Sequence, residues 1–198
     1  MARDDGMAQM HRLVLLHLLD GTRPSGISEW VSPVAPAVTQ VAVGAGHWAA
    51  GRRRRALAAW AGAAGLGLVA WGLGTEAPTR AEADKKIEQQ KDRLRELGKQ
   101  VPATIARTEA FAAHGRLWNA LDVLGPVMRM VFGVRSGLRR PRRLTVRAIA
   151  DEAPLAVFYA LRAARAVQQR RPRMAAGSAL AVAGSVARLR AASVEPLS

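Results

Sequence analysis

Apolar residues along this chain recur mostly at helical spacing. Met7, Met10, Leu13, Val14, Leu16 and Leu18 give a first pattern, apolar on more than one face, which Gly21 closes. A helix is therefore expected over 11–20. A clearer one is expected over 79–98, where Ala83, Ile87, Leu94 and Leu97 repeat on one side and Glu82, Lys86, Glu88, Asp92 and Arg95 on the other. Glu82 and Lys86 form a favourable i,i+4 pair, and Gly98 supplies the stop. Further helices are predicted at 103–124, with Ile105, Phe111, Trp118 and Leu121 on the buried side, and at 151–169, with Pro154 in its first turns. An Ala/Gly helix is predicted at 174–190. The expected fold class is mainly α.

Residues 23–40, RPSGISEWVSPVAPAVTQ, divide more finely. Arg23-Pro24-Ser25 opens a short helix, Pro33 breaks it, and Pro36-Ala37-Val38-Thr39-Gln40 starts another. A helix, a short helix, a tight turn and a helix fronted by small side chains is the layout of a helix-turn-helix. The last helix of such a unit enters the DNA major groove. Thr39 offers a hydroxyl and a methyl, Gln40 suits the N6/N7 edge of adenine, and Ala37 suits a thymine methyl. Ser25, with the backbone amides opening the preceding helix, suits a phosphate.

The PAVTQ run at 36–40 resembles the winged helix-turn-helix of MarR-type transcription regulators. Residues 75–97, TEAPTRAEADKKIEQQKDRLREL, resemble the end of that family's wing followed by its long dimerisation helix. The resemblance rests on residues 11–40 and 75–97. It implies a winged-helix-like DNA-binding domain over 1–78, a helical dimerisation region over 79–136 and a basic helical extension over 137–198. It further implies that Arg23, Ser25, Ala37, Thr39 and Gln40 contact double-stranded DNA, that two copies pair as a homodimer, and that a small-molecule effector binds between the domains. Val34 stands where the family commonly has a Ser cap, and Trp30 where a small or aliphatic residue is usual.

Residues 41–75 depart from that pattern, and three readings of them stay open. As a wing, Arg52, Arg53, Arg54 and Arg55 would follow DNA phosphates, each contact adding salt dependence. The flanking Ala and Gly are poor strand formers. As a membrane segment, 56–75 holds no charged residue and matches the ~20 residues that span a bilayer. Its Leu57, Leu66, Leu68, Val69 and Leu73 contribute only ~0.3–0.6 kcal/mol each, so insertion would be marginal. The spacings Ala61…Gly65 and Ala63…Gly67 permit close packing in lipid. As a third reading, the Ala, Gly, Arg and Trp of 41–73 are what GC-rich codons give when read out of frame.

Composition changes this picture only in part. A net charge of +15 and a pI near 11.7 point to anionic partners. Only four of the 30 basic residues are lysine, and alanine, glycine, arginine and proline all have GC-rich codons, so genome composition supplies some of the arginine. The chain has no cysteine, which removes disulfides and thiolate metal sites, and its four histidines form no metal-binding spacing. Asp122, Asp151 and Glu152 have no histidine or partner acid at a catalytic spacing, and no nucleotide-binding glycine motif occurs, so neither an enzyme nor a cofactor is expected. The N-terminal MARDDGMAQM carries two acids before any apolar run, unlike a secretory signal. The expected function is a cytoplasmic, sequence-specific DNA-binding regulator acting as a homodimer. The competing reading is a small helical protein of the inner membrane, held by 56–75.

Overall fold

Alanine is the strongest helix former, and nearly all alanines among the described residues lie in helices. The computed structural model describes residues 12, 15–16, 18–96, 127–128, 130–135, 137–138 and 146–194, and no strand occurs among them. Five long helices are α1 (Ile27–Ala49), α2 (Arg53–Glu76), α3 (Arg80–Glu96), α4 (Val146–Gln168) and α5 (Pro172–Val194). Described residues within 12–20 and 127–138 are also helical. The mainly α fold class holds. The helices expected at 79–98, 151–169 and 174–190 are α3, α4 and α5 with shifted ends. The one expected at 103–124 lies outside the described residues.

Two expectations fail. Residues 41–75 form no pair of strands but the end of α1, a tight turn and nearly all of α2. Pro33 does not break the chain either: α1 runs through both Pro33 and Pro36. An interior proline removes one ladder hydrogen bond and crowds the preceding turn, at about 3 kcal/mol. Packing against α2 offsets this. The Trp60 ring fills the space left by the missing side chain of Gly44, and its Nε1–H donates to the Val41 carbonyl at 3.3 Å. Trp30 covers Gly74 in the same manner at the other end. Each half-buried tryptophan returns about 2–3 kcal/mol at ~25 cal/mol per Å².

The central seam joins α2 to α5, antiparallel. A Cβ on Gly184 would lie 2.6 Å from the Gly62 Cα, and one on Gly177 would lie 2.7 Å from the Val69 nitrogen. Only glycines allow the two backbones to come this close. α1 packs on the flank of α2 and α4 on the flank of α5, so the order across the bundle is α1, α2, α5, α4. Val69, Leu73, Ala77, Ala166 and Met174 form a buried cluster beneath Tyr159. Thus α5, expected as part of a basic extension, forms one side of the central seam.

Polar contacts concentrate at the bundle's ends. The Glu76 carboxylate at the end of α2 accepts from the backbone N–H groups of Arg173 (3.0 Å) and Met174 (3.1 Å), capping α5. Thr79 and Glu82 form a reciprocal capping box at the start of α3. The carboxylate of Glu82 is held below its usual range by the Thr79 backbone and hydroxyl bonds. The helical residues 18–20 are strapped to the other half by Asp20, which accepts from Arg165 Nε (2.9 Å) and Gln169 Nε2 (2.8 Å). Burial pushes the Asp20 carboxyl up, but these two hydrogen bonds and the charges of Arg165 and Arg171 hold it below the ordinary carboxylate value. After Gly21, in a left-handed conformation at φ 63°, the Arg23 N–H donates to the Pro78 carbonyl at 2.8 Å.

Candidate functional site

The residues expected to read DNA do not share a surface. Thr39 and Gln40 line a cleft between the helices, and the Thr39 hydroxyl donates to the Ala35 carbonyl at 2.8 Å. The Gln40 Oε1 is buried. Ala37 is half-buried on the same helix. Ser25 has no donor left for a phosphate, because its N–H (2.7 Å) and hydroxyl (2.9 Å) both serve the Glu29 carboxylate. Arg23 reaches the Thr75 carbonyl. Of the four arginines expected at a wing tip, Arg53 and Arg54 are exposed, Arg52 is half-buried and Arg55 is buried, all at the turn into α2. Arg23 and Ser25 lie before α1 and Arg52–55 after it, so 23 helical residues, about 35 Å, separate them. Residues 36–40 are the interior of α1 rather than the front of a separate helix, and the side of α1 bearing Ala35, Thr39 and Val43 is turned toward the bundle.

What the bundle shows outward is more informative. Along α1, Val34, Val38, Val41, Ala45 and Trp48 face out at three- and four-residue spacing. On α2 the outward residues include Leu57, Ala64, Gly67 and Trp71, with Leu57 58% and Trp71 52% exposed. On α5 they include Ala176, Ala179, Ala183 and Val186. On α4, Leu155, Val157, Leu161 and Val167 do the same. No Asp, Glu, Lys or Arg occurs within 30–46, 56–75, 153–161 or 174–187. The outer belt is therefore apolar on all four helices, whereas solvated helices alternate an apolar face with a charged one.

Tryptophan–arginine pairs mark both edges of this belt. The Arg53 guanidinium lies 5.6 Å from the centroid of Trp48, whose ring meets Trp60 at 5.5 Å. At the opposite end Arg173 lies 4.5 Å over Trp71. Arg53 and Trp71 are eighteen residues apart on α2, about 27 Å of helix.

Inside the belt sits a cleft of about 260 Å³ whose walls come from all four helices and Met130. Leu66, Leu155 and Pro36 give it apolar walls; Gln40, Tyr159 and Arg188 give it polar ones. Arg188 pairs in bidentate fashion with Glu152, through Nε at 3.1 Å and Nη2 at 2.8 Å, and Glu152 is only 2% exposed. Nη2 also donates to the Ser185 hydroxyl at 2.9 Å. The third nitrogen, Nη1, rests against Gly62, where a Cβ would come within 2.5 Å of it. Sequence reading missed this ion pair. Its one signal is that Glu152 and Arg188 are ionised residues beside long uncharged Ala-rich runs.

No family model, curated protein or solved structure matches the chain.

Proposed function

We propose that this protein is an integral membrane helical bundle anchored through α2. The observation that carries the reading is the uncharged outer belt shared by α1, α2, α4 and α5. α2 is long and apolar enough to cross a bilayer, with a mean hydropathy of 1.6 over its best 18-residue window. A core helix of a soluble bundle has the same composition, so the distinction rests on what its neighbours turn outward. The ~27 Å between the two Trp–Arg edges suits the ~30 Å of hydrocarbon in a bilayer, and tryptophan and arginine favour its interfaces. Close packing through glycine and alanine at the α2–α5 seam is how helices associate where lipid removes the hydrophobic drive. Prolines inside α1 are likewise better tolerated there, since neighbouring helices satisfy the freed carbonyls.

Fractionation tests the proposal. The protein is expected to stay with membranes through high-salt and alkaline washes and to leave only with detergent. Recovery as a soluble species without detergent overturns it. Ala64→Arg sharpens the test, because Ala64 is exposed on the mid-part of α2. In lipid an arginine there costs ~2.5–3.5 kcal/mol of insertion, whereas on a solvated surface it changes stability by no more than about 0.5 kcal/mol.

A cytoplasmic homodimeric DNA-binding regulator is the second reading. It is supported by the net charge of +15 and by exposed arginines at both ends of the bundle. Such binding would be led by phosphate contacts. α3, charged along most of its length, would then supply the dimer contact. Soluble dimers retained on DNA at low salt and released as salt rises support this reading against the first.

A further inference from the structure

We infer that the end of the bundle where Gly21 meets α4 and the α4–α5 turn is a binding site for a doubly charged phosphate group, gripped by Arg162 with Arg171 beside it. The inference stands on these residues alone, and the membrane reading bears only on where the phosphate comes from. Arg162 is 7% exposed, yet it forms no hydrogen bond or ion pair with any described residue. The Phe158 ring, 5.7 Å from its guanidinium carbon, covers one side of it but supplies no counter-charge. A buried charge left in this way calls for an explanation. Of its three nitrogens only Nε is shut off from the surface without a partner. Nη1 and Nη2, equally without partners among the described residues, are open to an incoming ligand. Nη2 lies against Gly21, where a Cβ would come within 2.7 Å of it. Gly21 also has φ 63°, so backbone geometry and room for Arg162 both call for glycine there.

Two more guanidiniums border the same peptide. Arg171 Nη1 donates to the Asp20 carbonyl at 3.3 Å, and Arg165 binds the Asp20 carboxylate. Asp20 and Arg171 both lie within electrostatic range of Arg162. The Asp20 carboxylate is already committed to Arg165 and Gln169, and nearby Glu76 is taken up in capping α5. Three guanidiniums against the carboxylate of Asp20 leave two positive charges. Charge therefore decides the ligand: a carboxylate supplies one negative charge in a single plane, whereas a phosphate monoester carries about −1.5 to −2. Its oxygens also diverge, which suits donors arriving from α4 and from the turn after it, and each guanidinium fork matches such oxygens. The Arg173–Trp71 pair lies at this same end. In a bilayer the site is thus at headgroup level and the source is a phosphatidic acid; in water the source is free phosphate.

The test is thermal unfolding of the full chain at about pH 8, where the second phosphate proton is off. It is run in uncharged detergent if the protein needs one and in buffer if it does not, so failure of the membrane reading leaves it intact. Potassium phosphate, dioctanoylphosphatidic acid, dioctanoylglycerol, potassium acetate and potassium chloride are compared at matched ionic strength. The phosphates are expected to raise the midpoint as their concentration rises, which gives a dissociation constant. A response to potassium phosphate alone assigns the free ion, and a tighter response to the phosphatidic acid with none to dioctanoylglycerol assigns the lipid headgroup. Arg162→Met should weaken binding at least about tenfold, the worth of one charge-assisted hydrogen bond. Without ligand the same variant should melt no lower than the wild type, because it removes a buried charge that has no counter-ion. The order of the two proteins then reverses when phosphate is added, which a merely structural arginine does not do. Arg162→Lys keeps the charge without the fork and should also bind more weakly. Arg54→Gln, exposed at the opposite end of α2, should leave the response unchanged. An equal shift with acetate or chloride, a full response in Arg162→Met, or no response to either phosphate overturns the inference.

Discussion

The bundle is made of two hairpins built to the same plan and held together by different physics. α1–α2 and α4–α5 each pair a proline-bearing outer helix with an Ala/Gly-rich inner one, and the two inner helices meet at the seam. The first hairpin closes by seating tryptophans on glycines, Trp60 on Gly44 and Trp30 on Gly74. Between 30 and 51 it contains no Asp, Glu, Lys or Arg. The second closes around a buried ion pair, Glu152 with Arg188. Shape holds the first half, and charge pairing fixes the register of the second. Packing tolerates a small change of volume better than a buried ion tolerates loss of its partner.

The largest expected effect follows from that asymmetry. Glu152→Ala leaves the Arg188 guanidinium buried without its counter-ion and should cost about 3–5 kcal/mol, measured by thermal unfolding. Replacing both residues with Met and Leu should recover most of that loss, since a well-packed apolar pair is often as stable as a buried ion pair. If the single variant costs under about 1 kcal/mol, water reaches the pair and the second hairpin is not held by charge.

The seam gives the next effect. A Cβ on Gly65 would meet backbone, the Gly177 oxygen at 2.8 Å and the Leu180 carbonyl carbon at 2.9 Å, and neither can swing aside. Gly65→Ala should therefore destabilise by about 1–3 kcal/mol through overpacking. Gly67, two residues on, faces open space with nothing within 4 Å. Gly67→Ala should stabilise by about 0.5–1 kcal/mol, the ordinary gain from removing glycine from a helix interior. The same sign for both would mean that the two inner helices are not in this register.

These contrasts show what the residues disclosed in advance. α3, α4 and α5 were legible because apolar periodicity and caps such as Thr79–Glu82 are local. α1 was not, because Pro33 and Pro36 read as breaks while the contacts that outweigh them are distant in sequence: Trp60 sits 24 residues beyond Pro36, and Trp30 packs on Gly74, 44 residues on. The wing, one of three readings of 41–75, failed for a similar reason. Ala and Gly disfavour strands, and the seam partner that makes them a good helix surface, Gly177 to Gly184, lies beyond residue 170. The cleft was partly legible: Gln40 and Thr39 were singled out, but for a groove in DNA rather than a cavity in their own fold. Glu152 and Arg188, 36 residues apart, gave no spacing that a motif could capture.

The strap before α1 bridges the hairpins and offers a gentler perturbation. Arg23 binds the end of the first through the Pro78 carbonyl, while Asp20 binds the second through Arg165 and Gln169. Because the folded state lowers the Asp20 pKa, the associated stability is present above the unfolded value of 3.8 and is lost as pH falls through the lower folded value. Acidification from 3.8 down through that lower value should therefore release residues 18–20 while the Arg23 contact persists. Amide exchange of Leu18, Leu19 and Asp20, compared with Arg23, reads this directly. In Asp20→Asn the same amides should exchange at a rate that no longer steps with pH across that window.

The smallest effect compares the two hairpin turns. Both need a left-handed residue, and the first uses Gly51 at φ 73° whereas the second uses Arg170 at φ 56°. After Arg170 the Arg171 N–H returns to the Ala166 carbonyl at 2.9 Å, closing the helix end in the manner usually reserved for glycine. A side chain in that conformation costs ~1–2 kcal/mol, and glycine gives back part of the saving through its freer unfolded chain. Arg170→Gly should thus stabilise by about 0.5–1 kcal/mol, and Gly51→Ala should destabilise by about as much. Both turns are exposed, so the two substitutions differ in backbone strain and little else. A loss on Arg170→Gly would mean that the Arg170 side chain contributes a contact exceeding its own strain, and that charge, rather than backbone geometry, also shapes the turn of the second hairpin.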